Sequence, residues 1–159
     1  AHGFGSPRVL GLPPYAEVFC KNGFAVFLFD YRCFGESDGK PRNWVSPKRH
    51  NQDWANAIPY VRTLENVDTK RIAIWGTSYS GGHVLVTASK DPNISAVIAQ
   101  VPFVDAGSTV RRFKLSFILR AAVHALWDGL KMAFGAKPHN IKMVGYPDEF
   151  AALNTPISL

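Results

Sequence analysis

The run Arg71-Ile72-Ala73-Ile74-Trp75-Gly76-Thr77-Ser78-Tyr79-Ser80-Gly81-Gly82-His83-Val84-Leu85 constrains this chain more than any other stretch. A buried apolar strand passes through a tight turn of small residues into a helix, with a serine at the apex. A backbone bent that sharply crowds the residues two before and two after the apex, so both must be small. Here they are Gly76 and Ser80, the latter standing where glycine is the usual choice. Such a turn lifts the Ser78 hydroxyl clear of the sheet, and the first turn of the following helix aims free N–H groups and the positive end of its dipole at a reacting oxygen. The stretch reads as a nucleophile elbow, a device for acyl transfer.

Two other strand–loop–helix motifs are excluded by spacing. A phosphate-cradling loop needs Lys and then Ser or Thr after its second glycine, whereas Gly81 is followed by Gly82 and His83. The dinucleotide fingerprint needs a glycine where Ser78 stands. The competing structural reading is a small-residue turn that merely lets a helix pack closely on its strand.

The 159 residues, 47% hydrophobic and 19% charged, suit one globular domain. A net charge of +6 and a pI near 9.5 would point to a polyanion partner if the charge clustered with aromatic platforms. The basic residues instead scatter through Lys40–Arg49, Arg111–Arg120 and Lys131–Lys142, so solvated faces are expected and nucleic acid is not a predicted partner. Cys20 and Cys33 form no disulfide framework or metal pattern and read as packed thiols of a reducing, cytoplasmic compartment. No histidine pairs or Cys/His clusters stand at ligand spacing, so neither metal nor cofactor is expected. The longest apolar runs are far short of a membrane span. The opening Ala1-His2, without an initiating methionine, predicts a chain truncated at its start.

Along the chain, His2-Gly3-Phe4-Gly5-Ser6-Pro7 is a glycine-punctuated loop whose Phe4 or Gly5 N–H suits a developing oxyanion; a plain turn is the alternative. A short helix is expected over Tyr15–Lys21, closed by Asn22-Gly23. Phe24–Asp30, apolar on both faces, predicts a central parallel strand. The loop after it, Asp30 to Gly39, is expected to be fixed by an Asp30–Arg32 pair. Ser46-Pro47 starts a helix whose core face is Trp54, Ala57, Ile58, Val61 and Leu64, with a kink at Pro59. The elbow strand Arg71–Trp75, its helix to about Ser89 and a further strand Ala96–Val101 follow. Three apolar strands alternating with helices predict a doubly wound, mostly parallel α/β sheet with ligands at the strands' carboxyl ends. From Ser108 to Phe134 the pattern becomes a long basic amphipathic helix, striped by Phe113, Phe117, Ala121 and Ala125 and interrupted at Gly129. It reads as a lid, or alternatively as a surface helix. The tail Lys137–Leu159 reads as loop and short helix without strands.

The His2-Gly3-Phe4-Gly5 opening, the Asp30-Tyr31-Arg32-Cys33-Phe34-Gly35-Glu36-Ser37 loop and the elbow together resemble the α/β-hydrolase superfamily, in the family's order, over Ala1–Asp105. The resemblance implies an incomplete α/β-hydrolase core over 1–105 and a cap-like helical segment over 106–159, the chain being truncated at both ends. It implies Ser78 as nucleophile, with the Tyr79 and Phe4 N–H groups as oxyanion donors. Cys33 stands where the family usually has glycine.

The family places acid and then histidine after the serine. His83 lies roughly 140° around the elbow helix from Ser78 and should not reach its hydroxyl. His124 and His139 follow no strand that would bring them beside it. Asp105 is the one carboxylate at a strand's carboxyl end downstream of the serine, and is expected to be mainly structural. The expected function is hydrolysis of carboxylic esters, or of thioesters or peptides, through an acyl-enzyme on Ser78. The partner is then a small acyl substrate, and residues 1–159 alone, lacking an evident acid and base, are expected to be inactive. The alternatives are an acyltransferase, or a binding module that keeps the fold without the chemistry.

Overall fold

The computed structural model describes residues 1–154, which fall into two compact units divided between Val104 and Asp105. In the first unit, strands β1 (Ile72–Thr77) and β2 (Ile94–Gln100) pair in parallel, with Ile74 opposite Val97 and Gly76 opposite Ala99. Their β-branched content suits a pleated, half-buried surface. Helix α3 (Tyr79–Ala88) connects them and lies across both. Asp91-Pro92 follows shortly after its end, where proline bars continuation. The strand–helix–strand unit confirms a parallel α/β architecture.

Helix α1 (Pro13–Lys21) precedes this unit and sets Tyr15 against Trp75, ring centroids 5.1 Å apart. Helix α2 (Pro47–Arg62) begins as its sequence predicts: the Ser46 hydroxyl accepts a hydrogen bond from the Arg49 N–H, and Pro47 occupies the first position. His50, Trp54 and Ile58, four residues apart, form its buried stripe, while Ala57 and Val61 are half-buried beside it. That stripe meets Tyr31, Phe34, Ile74 and Val84, with Phe29, Val45 and Ile94 packed around them. Each large apolar side chain so buried contributes about 1.5–3 kcal/mol.

The predicted third strand is corrected. Phe24–Asp30 has no ladder partner among the described residues; Phe29 packs edge-on against Tyr31 and Trp54, while Phe24 and Phe27 are exposed. An apolar run reports which side chains seek burial, but a ladder also needs a neighbour whose backbone groups face it. The Asp30–Arg32 pair is corrected too: Arg32 bonds Asp53 on α2, and Asp30 takes Arg8. Cys33 is buried as expected, but Cys20 is exposed on α1.

The second unit contains α4 (Ala106–Val110), α5 (Leu115–Ala133) and two short strands, β3 (Lys142–Val144) and β4 (Ala151–Leu153), paired in parallel. The strands correct the expectation of a strandless tail, whose last five residues lie outside those described; the pairing is fastened by Gly145 N–H donating to the Leu153 carbonyl at 3.0 Å and by the Lys142–Glu149 ion pair. The expected interruption at Gly129 is also corrected. The helix breaks at Arg111–Lys114 and runs through Gly129 unbroken, because one glycine costs about 1 kcal/mol, less than the rest of the helix returns. Among the described residues no helix is long and apolar enough to cross a membrane.

Two glycines test this packing in opposite directions. A Cβ on Gly82 would run into the Phe103 carbonyl, so Gly82→Ala is expected to destabilise by about 1–3 kcal/mol, seen as a lower urea midpoint. A Cβ on Gly129 meets nothing within 4 Å, so Gly129→Ala is expected to stabilise by about 0.5–1 kcal/mol in the same titration.

Candidate functional site

Between β1 and α3 the chain turns at Ser78, whose φ of 53° and ψ of −114° lie where side chains are rarely tolerated. Such a conformation costs on the order of 1–3 kcal/mol and persists only where the surroundings over-determine it. Two backbone hydrogen bonds do so: the Ser78 N–H donates to the Gln100 carbonyl at 2.9 Å, and the Phe103 N–H donates to the Ser78 carbonyl at 2.8 Å. The small-residue rule has a visible cause, since a Cβ on Gly76 would stand 2.9 Å from the Ser80 Oγ and closer still to the Ser80 backbone. The result is an exposed Ser78 at the carboxyl end of β1, between buried Gly76 and buried Tyr79 and Ser80.

The opening loop lies against this apex. A Cβ on Gly3 would stand 3.4 Å from the Ser78 Cβ and 3.9 Å from its Oγ, and the Phe4 ring meets the Tyr79 ring edge-on at 5.5 Å. Among the described residues neither the Phe4 nor the Tyr79 amide donates a hydrogen bond within the protein. His2 anchors the loop: its Nδ1 meets the Gly3 carbonyl at 3.1 Å and its Nε2 accepts from the Tyr31 N–H at 3.2 Å.

The loop after Phe29 braces the elbow from below. Asp30, buried, accepts from the Arg8 N–H at 2.6 Å and the Glu36 N–H at 3.2 Å, and its carboxylate fills the space beside Gly35, where a Cβ would lie 2.7 Å from Oδ1. Cys33 takes a left-handed φ of 71°, the conformation that favours glycine, with its thiol against Gly39. Fully buried Tyr31 places its hydroxyl 2.7 Å from the Ser80 Oγ and accepts from the Trp54 indole N–H at 2.8 Å.

Around Tyr31 sits a buried aromatic and imidazole cluster. His50 stacks on Tyr31 at 4.2 Å, and His83 lies edge-on to both Tyr79 and His50 at 4.5 Å and 5.6 Å. Burial pushes the His50 imidazole down from 6.5 to about 4, helped by neighbouring His83, and burial pushes His83 down to about 4. Burial also raises the Tyr79 phenol.

Of the other sequence candidates, His83 is in the core beneath the elbow and not at the Ser78 hydroxyl. In the second unit His124 and His139 bond each other at 2.7 Å with stacked rings, and the His139 N–H donates to Asp128. Asp105 is exposed and caps α4, accepting from the Gly107 N–H at 2.8 Å and the Ser108 hydroxyl; that hydroxyl holds its carboxyl below the usual range. The described residues hold no cluster suited to a metal ion. Sequence reasoning missed Arg8, His50, Asp53, the anchoring role of His2 and the Tyr31–Ser80 contact, which join segments far apart along the chain. Ser80, a hydroxyl where glycine suffices, was the one signal pointing to a buried partner.

Comparison with known proteins identifies the family and the fold. Residues 7–127 match the family described as X-Pro dipeptidyl-peptidase (S15 family). The Quorum-quenching protein AidA of Acinetobacter baumannii is 40% identical over 156 residues, 98% of this chain and 51% of that protein. Thiohydrolase aneE of Aspergillus aculeatus is 38% identical over 106 residues, covering 67% of this chain and 33% of that protein. The crystal structure of the α/β hydrolase GrgF from Penicillium sp. superposes with a TM-score of 0.76 at 30% identity, over 94% of this chain and 50% of that one. This chain thus spans about half the length of AidA and of GrgF.

Burial holds the His2 imidazole below its ordinary value, and His50 and His83 give the site's support an acid limit. With folded values of about 4 against 6.5, the unfolded chain binds protons that the folded one refuses between those pH values. Stability is therefore full above pH 6.5 and falls as pH drops toward 4, by on the order of 2–3 kcal/mol per histidine. Urea midpoints measured across that window are expected to drop steeply, and less steeply in His50→Phe.

Proposed function

Because the chain belongs to the α/β-hydrolase superfamily, within the family described as X-Pro dipeptidyl-peptidase (S15 family), we propose that it carries the nucleophile elbow of a serine hydrolase. The observation that carries this reading is the exposed Ser78, held in a strained backbone at the carboxyl end of β1 with the Gly3-Phe4 loop against it. In the proposed reaction the Ser78 Oγ bonds to a substrate carbonyl carbon, and the carbonyl electron pair moves onto its oxygen. The Phe4 and Tyr79 N–H groups donate to that oxyanion, the Tyr79 donor at the positive end of α3. Collapse breaks the bond to the leaving oxygen or sulfur, which leaves as alcohol or thiol with the proton that a general base took from the Ser78 hydroxyl; water then attacks the acyl carbonyl, giving the free acid and restoring the proton on Ser78 Oγ.

The hydroxyl needs an adjacent base. Among the described residues no histidine bonds Ser78: His2 is committed to Gly3 and Tyr31, His50 and His83 lie in the core, and His124 and His139 bond each other. Residues 1–159 on their own are accordingly proposed not to turn over esters. Residues 106–159 are proposed to be the cap-like segment of the hydrolase.

Carboxylic esters are the first substrate class. The thiohydrolase name of one relative supports thioesters as a second, and another relative, named Polyketide transferase grgF, 33% identical over 123 residues, supports transfer of the acyl group to an acceptor other than water.

A fluorophosphonate tests the reading in the complete protein. The Ser78 oxygen is expected to form the bond to phosphorus with loss of fluoride, located by mass spectrometry. Ser78→Ala is expected to abolish labelling and lower aryl-ester turnover by on the order of 10⁶. Labelling elsewhere, or unchanged turnover, removes the proposal. Asp105→Asn, which keeps an oxygen able to cap α4, is expected to cost less than about tenfold, against on the order of 10⁴ for a triad acid.

A further inference from the structure

Ser80 poses a question that the steric rule alone does not answer. Glycine satisfies the crowding at this position, yet the residue is a fully buried serine whose Oγ lies 2.7 Å from the Tyr31 hydroxyl. We propose that the Trp54–Tyr31–Ser80 hydrogen-bond chain is a positioning device that fixes the Ser78–Tyr79 backbone, and with it both the nucleophile and its adjacent oxyanion donor. The inference rests on the reading of Ser78 as nucleophile.

Chemistry fixes the direction of the Trp54 bond, while in the Tyr31–Ser80 pair either hydroxyl can donate. The Trp54 indole nitrogen only donates, so the Tyr31 oxygen accepts from it at 2.8 Å. Burial pushes the Tyr31 phenol above its ordinary value, which keeps its proton on the oxygen and available to Ser80. Tyr31 itself is seated three ways: its N–H donates to His2 Nε2, its ring stacks on His50, and its hydroxyl takes the Trp54 bond. The chain therefore ties Ser80 to helix α2 and to the loop that begins at Asp30, and through His2 to the segment that lies on Ser78.

Its location decides what it controls. On the sheet side Ser78 is fixed by the hydrogen bonds to Gln100 and Phe103. On the helix side the Ser78 carbonyl meets the Gly82 N–H at 3.4 Å, a long contact for so bent a turn. Ser80 Oγ–Tyr31 is the short, buried bond on that side, one residue beyond the Tyr79 N–H. Losing it frees the first turn of α3 to shift, and a displacement of about 1 Å at reacting groups can cost on the order of 10² in rate.

The test uses the complete enzyme and the variants Ser80→Ala, Tyr31→Phe, Trp54→Phe and Ser80→Ala with Tyr31→Phe, assayed well below their melting temperatures. Ser80→Ala and Tyr31→Phe are each expected to lower kcat on an aryl ester, and the rate of fluorophosphonate labelling, about 10- to 30-fold, with KM within about twofold. The double variant is expected to be no slower than the slower single one, because both break one bond. Trp54→Phe, one bond further away, is expected to have a smaller effect of the same kind. Should Tyr31→Phe fail to fold, Ser80→Ala and Trp54→Phe carry the test. Wild-type kcat in Ser80→Ala alongside a lowered melting temperature would overturn the proposal and leave the bond merely structural, as would multiplicative losses in the double variant. Full turnover in a parallel Ser78→Ala sample would overturn the parent reading instead.

Discussion

The distance between residues 76 and 80 is the constraint on which the rest of the site depends. Reversing the chain from strand to helix within one residue forces those two positions together, leaves no room for a Cβ on Gly76 and drives Ser78 into a backbone conformation that it would not hold alone. The strain is sustained by its neighbours: β2 and the segment after it bond both backbone groups of Ser78, and α3 starts at the next residue. A strained apex is stable only as the rest of the unit is stable, so the packing of α2 and α3 beneath it is part of the site.

That packing is unusually polar for a core. His2, Asp30, His50, Ser80, His83 and Thr87 are buried among Tyr31, Phe34, Trp54 and Val84. Buried polar groups are costly when unpaired and directional when paired, so the paired ones, His2, Asp30 and Ser80, specify one arrangement more sharply than aliphatic packing does. Asp30 shows the logic. Instead of pairing with its near neighbour in sequence, it collects backbone N–H groups from Arg8 and Glu36, and so welds the opening loop to the loop following it.

The elbow, α2 and its cap, and the β1–α3–β2 unit were legible because each is encoded locally, by small residues at fixed spacing, a Ser-Pro start or a four-residue stripe. Membership in the α/β hydrolases followed from three such local motifs in order, and the family match over residues 7–127 bears it out. What was not legible depends on partners far along the chain. Phe24–Asp30 has the composition of a strand but no ladder neighbour among the described residues, and the Arg32–Asp53 bond spans twenty-one residues. Gly129 misled for the opposite reason, a local penalty too small to end a nineteen-residue helix.

Cys33 shows how far the loop's geometry reaches. Its left-handed backbone is clamped by the Cys33 N–H bond to the Asp38 carbonyl and the Asn43 N–H bond to its own carbonyl, both at 2.8 Å, while the thiol is 1% exposed against Gly39. Cys20, by contrast, stands in solvent on α1. The two thiols thus form a built-in clock: an alkylating reagent consumes Cys20 at once, and the pace at which it then reaches Cys33 reports how often the loop beneath the elbow opens.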